Sequence, residues 1–152
     1  MKLLRATVAI SMLASPLLSP ALAHADDRAD VEAATSRWID AFNRKDVGDI
    51  VALYAPDAVL LGTSSPLLRD SPELVRDYFK DMPSLGDAII TLGEHRVQVI
   101  DDIALSSGFY TRSARQQNGE TIRNPARFSF VYQKRNGRWL IVNHHSSALP
   151  QP

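Results

Sequence analysis

The 152-residue chain has no cysteine and no excess of either charge, with 17 basic and 17 acidic side chains. The missing thiol excludes disulfides, thiolate metal sites, a cysteine nucleophile and cysteine-bound iron–sulfur clusters. The even charge balance argues against a nucleic-acid partner, which calls for a basic excess. Beyond the N-terminus, no apolar run approaches the roughly eighteen residues of a membrane helix. Also absent are a Gly-x-Ser-x-Gly elbow, a glycine-rich phosphate loop and a dinucleotide fingerprint. Repeats, low-complexity segments and linkers are missing too, and the length suits one domain. What is present is ordinary. With 45% apolar and 22% charged residues, the composition is that of a globular protein.

The N-terminus reads as an address. Lys2 and Arg5 precede a mostly apolar stretch over 6–18. Pro16 and Pro20 then interrupt it, and Ala23-His24-Ala25 is a small-x-small cleavage site. This is the pattern of a secretory signal peptide, too short for an anchor. The expected products are a leader of residues 1–25 and a single domain of residues 26–152. The mature protein is expected in the periplasm or secreted, with no membrane attachment after processing.

In the mature chain the apolar spacing of Val31, Ala34, Trp38, Ala41 and Phe42 predicts a helix over 27–45. A short helix is expected over 50–54 and a short strand over 58–61, followed by a polar loop. Ser71-Pro72-Glu73 is a helix start, with a hydroxyl cap and Pro at the first turn, predicting a third helix to about 81. From residue 88 the pattern is β, with strands over 88–100, 103–116, 121–134 and 138–149. Asp101-Asp102, Asn118-Gly119 and Asn136-Gly137 are the turns between them, and both Asn-Gly pairs favour positive φ at two positions. Helices followed by an antiparallel meander give an α+β class. Strands this long must bend, and Gly93, Gly108 and Pro125 are the expected bulge or bend sites. The bent sheet offers a concave face for the N-terminal helices to cover.

Strict alternation along the last strand puts Trp139, Ile141, Asn143, His145 and Ser147 on one face. That face reads as a pocket wall whose polarity rises toward the C-terminus, and His144 and Ser146 face away. Adjacent histidines pointing oppositely do not share a metal ion, and His95 is the only other histidine of the mature chain. Such a pair is also common at a surface or in a hydrogen-bonded core. Thr63, in the loop after the first strand, and Tyr78, on the third helix, are further candidates. A turn hydroxyl and a core aromatic are their simpler roles. Tyr110 and Arg127 are polar positions on the sheet. If Arg127 and Ser129 face inward, Phe128, Phe130 and Tyr132 lie on the outer face, an apolar surface that calls for at least a dimer.

Three segments carry a resemblance: Pro-Ala-Arg-Phe-Ser-Phe-Val-Tyr at 125–132, Arg-Trp-Leu-Ile-Val at 138–142, and His-His-Ser-Ser-Ala-Leu-Pro at 144–150. Together they resemble the association domain of calcium/calmodulin-dependent kinase II in its stand-alone bacterial form. His-His-Ser-Ser-x-Leu-Pro and Ser-Gly-Phe-Tyr-Thr at 107–111 are similar, more narrowly, to iota-class carbonic anhydrases. The wider group is the cone-shaped superfamily of nuclear transport factors, steroid isomerases and polyketide cyclases. The resemblance implies N-terminal helices packed on a strongly bent antiparallel sheet, and a homodimer or higher homo-oligomer. It also implies reversible hydration of CO2 to bicarbonate and a proton. Some members of the class are described as metal-free and others have been assigned a metal; the metal-free site, with no cofactor, carries over by position to Thr63, Tyr78, His145 and Ser147. In that reading the three hydroxyls hold CO2 or bicarbonate, His145 accepts or relays the proton, and Trp139 and Ile141 are apolar walls. Two other classes stay open: another small-molecule enzyme or binder on the same fold, and an oligomerisation module.

Overall fold

The computed structural model describes residues 20–150, with side chains from residue 26. The expected leader therefore lies outside the residues whose side chains are described. The element order is α1 (Pro20–Arg44), α2 (Val47–Val51), β1 (Tyr54–Leu61), α3 (Pro72–Phe79), a 3-10 turn (Met82–Leu85), β2 (Ile89–Ile100), β3 (Ile103–Arg115), β4 (Thr121–Arg135) and β5 (Arg138–Ala148). Helices precede one curled five-stranded sheet of order β1-β5-β4-β3-β2. The α+β cone expected from the sequence is the fold observed. No helix among the described residues is long and apolar enough to cross a membrane.

α1 begins earlier than the expected residue 27 and ends where Lys45 turns to φ 61°. Its inner face buries Val31, Ala34, Trp38, Ala41 and Phe42 against the sheet, as the spacing predicted. Thr35 is buried on the same face. Its hydroxyl donates to Ser106 at 3.1 Å and pairs with the Tyr132 hydroxyl at 3.1 Å, so this polar trio costs little to bury. α3 is capped as read: Ser71 Oγ accepts from the Leu74 amide at 3.3 Å and Pro72 occupies the first turn. It buries Val75 and Phe79 and stops at Phe79, two residues before the expected end, giving way to the 3-10 turn.

β1 departs most from expectation. Tyr54, read as the end of a helix, is instead the first residue of a strand that pairs parallel with β5. Pro56 is tolerated because β1 is a sheet edge, where its missing N–H leaves no ladder bond unmade. The three β-turns fall where predicted. Asn136 and Gly137 both take positive φ, at 51° and 76°. At the other Asn-Gly pair only Gly119 does, because a three-residue loop, 117–119, is closed there by the Gln116 amide donating to the Glu120 carbonyl.

Two bulges interrupt the antiparallel ladders and bend the sheet. In β2 the register slips between Leu92 and His95, so Gly93 and Glu94 together face Phe109 of β3. Gly108 sits across from them, where a Cβ would lie 2.3 Å from the Glu94 carbonyl oxygen. Gly93 and Gly108 are thus bend sites as expected, while Pro125 carries no register shift. In β5 the register slips between Ile141, opposite Tyr132, and Asn143, opposite Val131, leaving Val142 unmatched. On β4 the alternation is the reverse of that assumed. Ala126, Phe128, Phe130 and Tyr132 are buried on the concave face, and Arg127 is exposed outside. These aromatics pack on Trp38 and on each other, Phe128 to Phe130 at 4.9 Å and Trp38 to Phe130 at 5.4 Å. Burying each such ring is worth about 1.5–3 kcal/mol, so hydrophobic energy sets the inward face of β4.

Candidate active site

The concave face and the helices enclose a cavity of about 600 Å³. Its apolar wall is built from Trp38 and Phe42 of α1, Phe79, Met82 and Leu85 after β1, and Ile90 of β2. Its polar wall comes from the end of β5 and the loop after β1. Here the Val142 bulge decides the chemistry. Alternation puts Trp139 and Ile141 inside, but the extra residue reverses the phase, so His144 and Ser146 point inward. His145 is exposed and Ser147 faces outward, its hydroxyl accepting from Arg127 Nε at 3.0 Å. The expected placement of His145 and Ser147 on the pocket face is therefore corrected to their neighbours. Trp139 is buried in the core below the bulge and does not line the cavity.

Thr63 and Tyr78, the other two candidates, both line the cavity. Thr63 meets Ser146 twice: its amide donates to Ser146 Oγ at 3.2 Å and its hydroxyl does so at 2.7 Å. The Tyr110 hydroxyl lies 3.1 Å from Thr63 Oγ1. Thr63 already donates to Ser146, so Tyr110 is the donor in that pair. A one-way chain results, from Tyr110 through Thr63 to Ser146, a lining residue whose own hydrogen is not used by this chain. Tyr78 lies across the mouth, its hydroxyl 3.3 Å from Ser64 Oγ and the Arg69 guanidinium 5.3 Å from its ring centre. Gly62 permits this seat, since a Cβ there would come within 2.2 Å of the Tyr78 ring.

His144 is enclosed by Trp38 and Phe130, with ring centres 5.4 and 4.5 Å away. Its Nδ1 lies 2.7 Å from the Tyr54 hydroxyl, which also accepts from the Trp38 indole N–H at 2.9 Å. Burial, helped by the neighbouring His145, pushes the His144 pKa down to about 3, so the ring is neutral at ordinary pH. Burial likewise raises the Tyr54 phenol well above its usual pKa. The site is therefore rich in neutral hydrogen-bond donors, with Arg112 and Asp81 as the charged side chains among its lining residues.

The family of the calcium/calmodulin dependent protein kinase II association domain matches residues 27–150. This chain belongs to that family. A solved association-domain protein of the same description from Xanthomonas campestris is 34% identical, the match covering 94% of this chain and 100% of that one with a TM-score of 0.74. Fold likeness extends further. An NTF2-like protein with a cystatin-like fold from Novosphingobium aromaticivorans is 13% identical, covering 87% of this chain and 88% of that one at TM-score 0.78. The hexachlorocyclohexane dehydrochlorinase LinA-type3 of Novosphingobium barchaimii is 16% identical, covering 86% and 91% at TM-score 0.73. Among curated proteins none matches this chain.

Besides His144 and Ser146, sequence reasoning missed two residues that line this association domain's cavity, Trp38 and Arg112, and one that stands behind His144, Tyr54. Tyr54 was hidden by its assignment to a helix end. Trp38 was assigned only to the core, although its indole N–H also supports the site. Arg112 also lines the cavity, and its place two residues after Tyr110, on the same side of β3, was the available signal. Among the described residues no group of three or more His, Asp or Glu side chains is gathered as a metal site would require.

Proposed function

We propose that this association domain catalyses the reversible hydration of CO2 in its cone cavity. The observation that carries the reading is the segment at 144–147: the His-His-Ser-Ser run behind the resemblance to iota-class carbonic anhydrases supplies His144 and Ser146 to a wall where Thr63 and Tyr110 orient the serine hydroxyl. CO2 is small and apolar, and the rings of Trp38, Phe42 and Phe79 suit its entry. As water or hydroxide attacks the carbon, one C–O bond forms and a C=O electron pair moves onto oxygen. The Ser146 O–H and the His144 ring meet that oxygen as it gains charge, which is where fixed donors lower a barrier most. Water's proton leaves to solvent or buffer. His144, held neutral with a pKa of about 3, does not take it at neutral pH. No step in this reading uses a metal ion.

The test is stopped-flow CO2 hydration on chelator-treated protein. Ser146→Ala and Thr63→Ala should lower kcat/KM by about tenfold or more. His145→Ala and Ser147→Ala, on the outer face, should stay within about twofold of the parent. Activity that vanishes on chelation and returns with zinc would overturn the metal-free reading. No acceleration above buffer would overturn the reaction itself.

One observation favours a second reading. A cavity of about 600 Å³ is in the range that holds a whole small organic molecule. An apolar ligand with one oxygen acceptor would fit the same wall, as on a fold shared with a dehydrochlorinase. A rise in Tm with such ligands and none with bicarbonate would select it. We also propose that the precursor is exported and cleaved after Ala25, with the mature protein periplasmic or secreted. N-terminal sequencing should begin at Asp26, and a mature protein starting at Met1 would refute export by this route.

A further inference from the structure

We infer that Tyr54 is a positioning residue that fixes His144 in the tautomer carrying its hydrogen on Nε2, so that the cavity meets its ligand with an imidazole donor. The argument is one of hydrogen-bond direction. The Trp38 indole can only donate, and its N–H points at the Tyr54 oxygen at 2.9 Å. The same oxygen lies 2.7 Å from His144 Nδ1. Among the described residues these are the two partners of the Tyr54 hydroxyl, and only Nδ1 can accept its hydrogen. The opposite arrangement, with Nδ1–H donating to the tyrosine, would leave a buried O–H without an acceptor, a loss that proteins avoid. Nδ1 is therefore the acceptor. In a neutral ring the hydrogen must then sit on Nε2. Burial keeps both partners in the required states, the phenol protonated and the imidazole uncharged.

The geometry leaves little freedom for the ring to turn. Trp38 meets His144 edge-on at 87°, Phe130 at 69°, and Tyr54 stacks near it at 29°. With Nδ1 tied to Tyr54 and the ring part of the cavity wall, Nε2–H is the nitrogen left for a ligand. Two strand positions on, Ser146 is likewise turned into a donor by Thr63 and Tyr110. Two relays, one through Tyr54 and one through Thr63, thus polarise adjacent inward positions of β5 in the same sense. The inference rests on the cavity being the binding site proposed above, but the tautomer belongs to the unliganded chain and can be measured without substrate.

The experiment is 15N NMR of histidine-labelled protein at pH 7, with the His144 ring signals assigned by their loss in His144→Gln. The parent should show a protonated Nε2 and an unprotonated Nδ1. Trp38→Phe keeps the tyrosine–histidine bond and should keep that pattern. Tyr54→Phe removes the hydrogen that Nδ1 accepts and should shift the ring toward the other tautomer or a mixture. It should also lower kcat/KM for CO2 hydration by about tenfold. A purely structural Tyr54 would alter stability in both variants and the tautomer in neither. Protonated Nδ1 in the parent, or an unchanged tautomer in folded Tyr54→Phe, overturns the inference. The parent spectrum decides alone if the variant does not fold. A wrong tautomer with hydration intact removes only this inference, whereas the expected tautomer in an inactive protein supports it and removes only the hydration reading.

Discussion

At the scale of single residues, His144 links the cavity to stability. Its pKa falls from 6.5 to about 3 on folding, chiefly through burial and secondly through His145. Between those values the unfolded chain binds a proton that the folded chain does not. Stability therefore rises with pH across this window, is fully present above about 6.5, and drains away as pH falls toward 3, by at most about 1.4 kcal/mol per pH unit. Urea melts at pH 7, 6 and 5 should show the midpoint falling with pH before most carboxylates titrate. His144→Gln should flatten that slope, and an identical slope in the variant would assign it to other groups. The same residue marks the limit of sequence reading. Two adjacent histidines on a strand are distinguished only by phase, and one unpaired residue upstream reverses it.

Among elements, β2, β3 and β5 show how bulges aim side chains. Glycines at 93 and 108 were legible as bend sites because a missing Cβ in a long strand signals close backbone approach. Gly108→Ala would push a Cβ to 2.3 Å from the Glu94 oxygen and 2.5 Å from His95 Cα, both backbone atoms that cannot swing aside. The expected cost is about 2–3 kcal/mol, read as a lower Tm in calorimetry. A Tm unchanged within a degree or so would mean that the strands simply slide apart there. The Val142 bulge has no comparable signal. Val is a good strand residue, and nothing local says that it goes unmatched between Ile141 and Asn143. β1 escaped for a related reason. Proline at 56 reads as a stop, and only the parallel pairing with β5 shows that an edge strand passes through it.

For the whole molecule, assembly is the open property. The outer-face aromatic patch expected from β4 does not exist, because Phe128, Phe130 and Tyr132 fill the core. The family's description as an association domain supports a homo-oligomer on other grounds, and the outer face still exposes Phe109 beside Arg127. Light scattering at micromolar concentration should give a dimer or larger. Phe109→Glu, which changes an exposed position and no core contact, should lower the mass if this face is shared. A monomeric parent would contradict the assembly reading, and a mass unchanged in the variant would move the contact elsewhere.

The sequence by itself determined the class of the fold, its helix stripe, its capped third helix and the place of its turns. These follow from local rules: a period of 3.6 residues or of 2, a hydroxyl before a proline, an Asn-Gly pair between apolar runs. It also brought Thr63 and Tyr78 to notice, since a hydroxyl loop after an edge strand and a tyrosine on an apolar helix face stay where local structure puts them. The tertiary structure alone decided which histidine and which serine enter the cavity, and which side of β4 is core. Those choices depend on register between strands distant in sequence. One unmatched residue exchanges the two faces of everything beyond it, and the deciding energy is the burial of Phe128, Phe130 and Tyr132 against α1 rather than any preference of β5 itself.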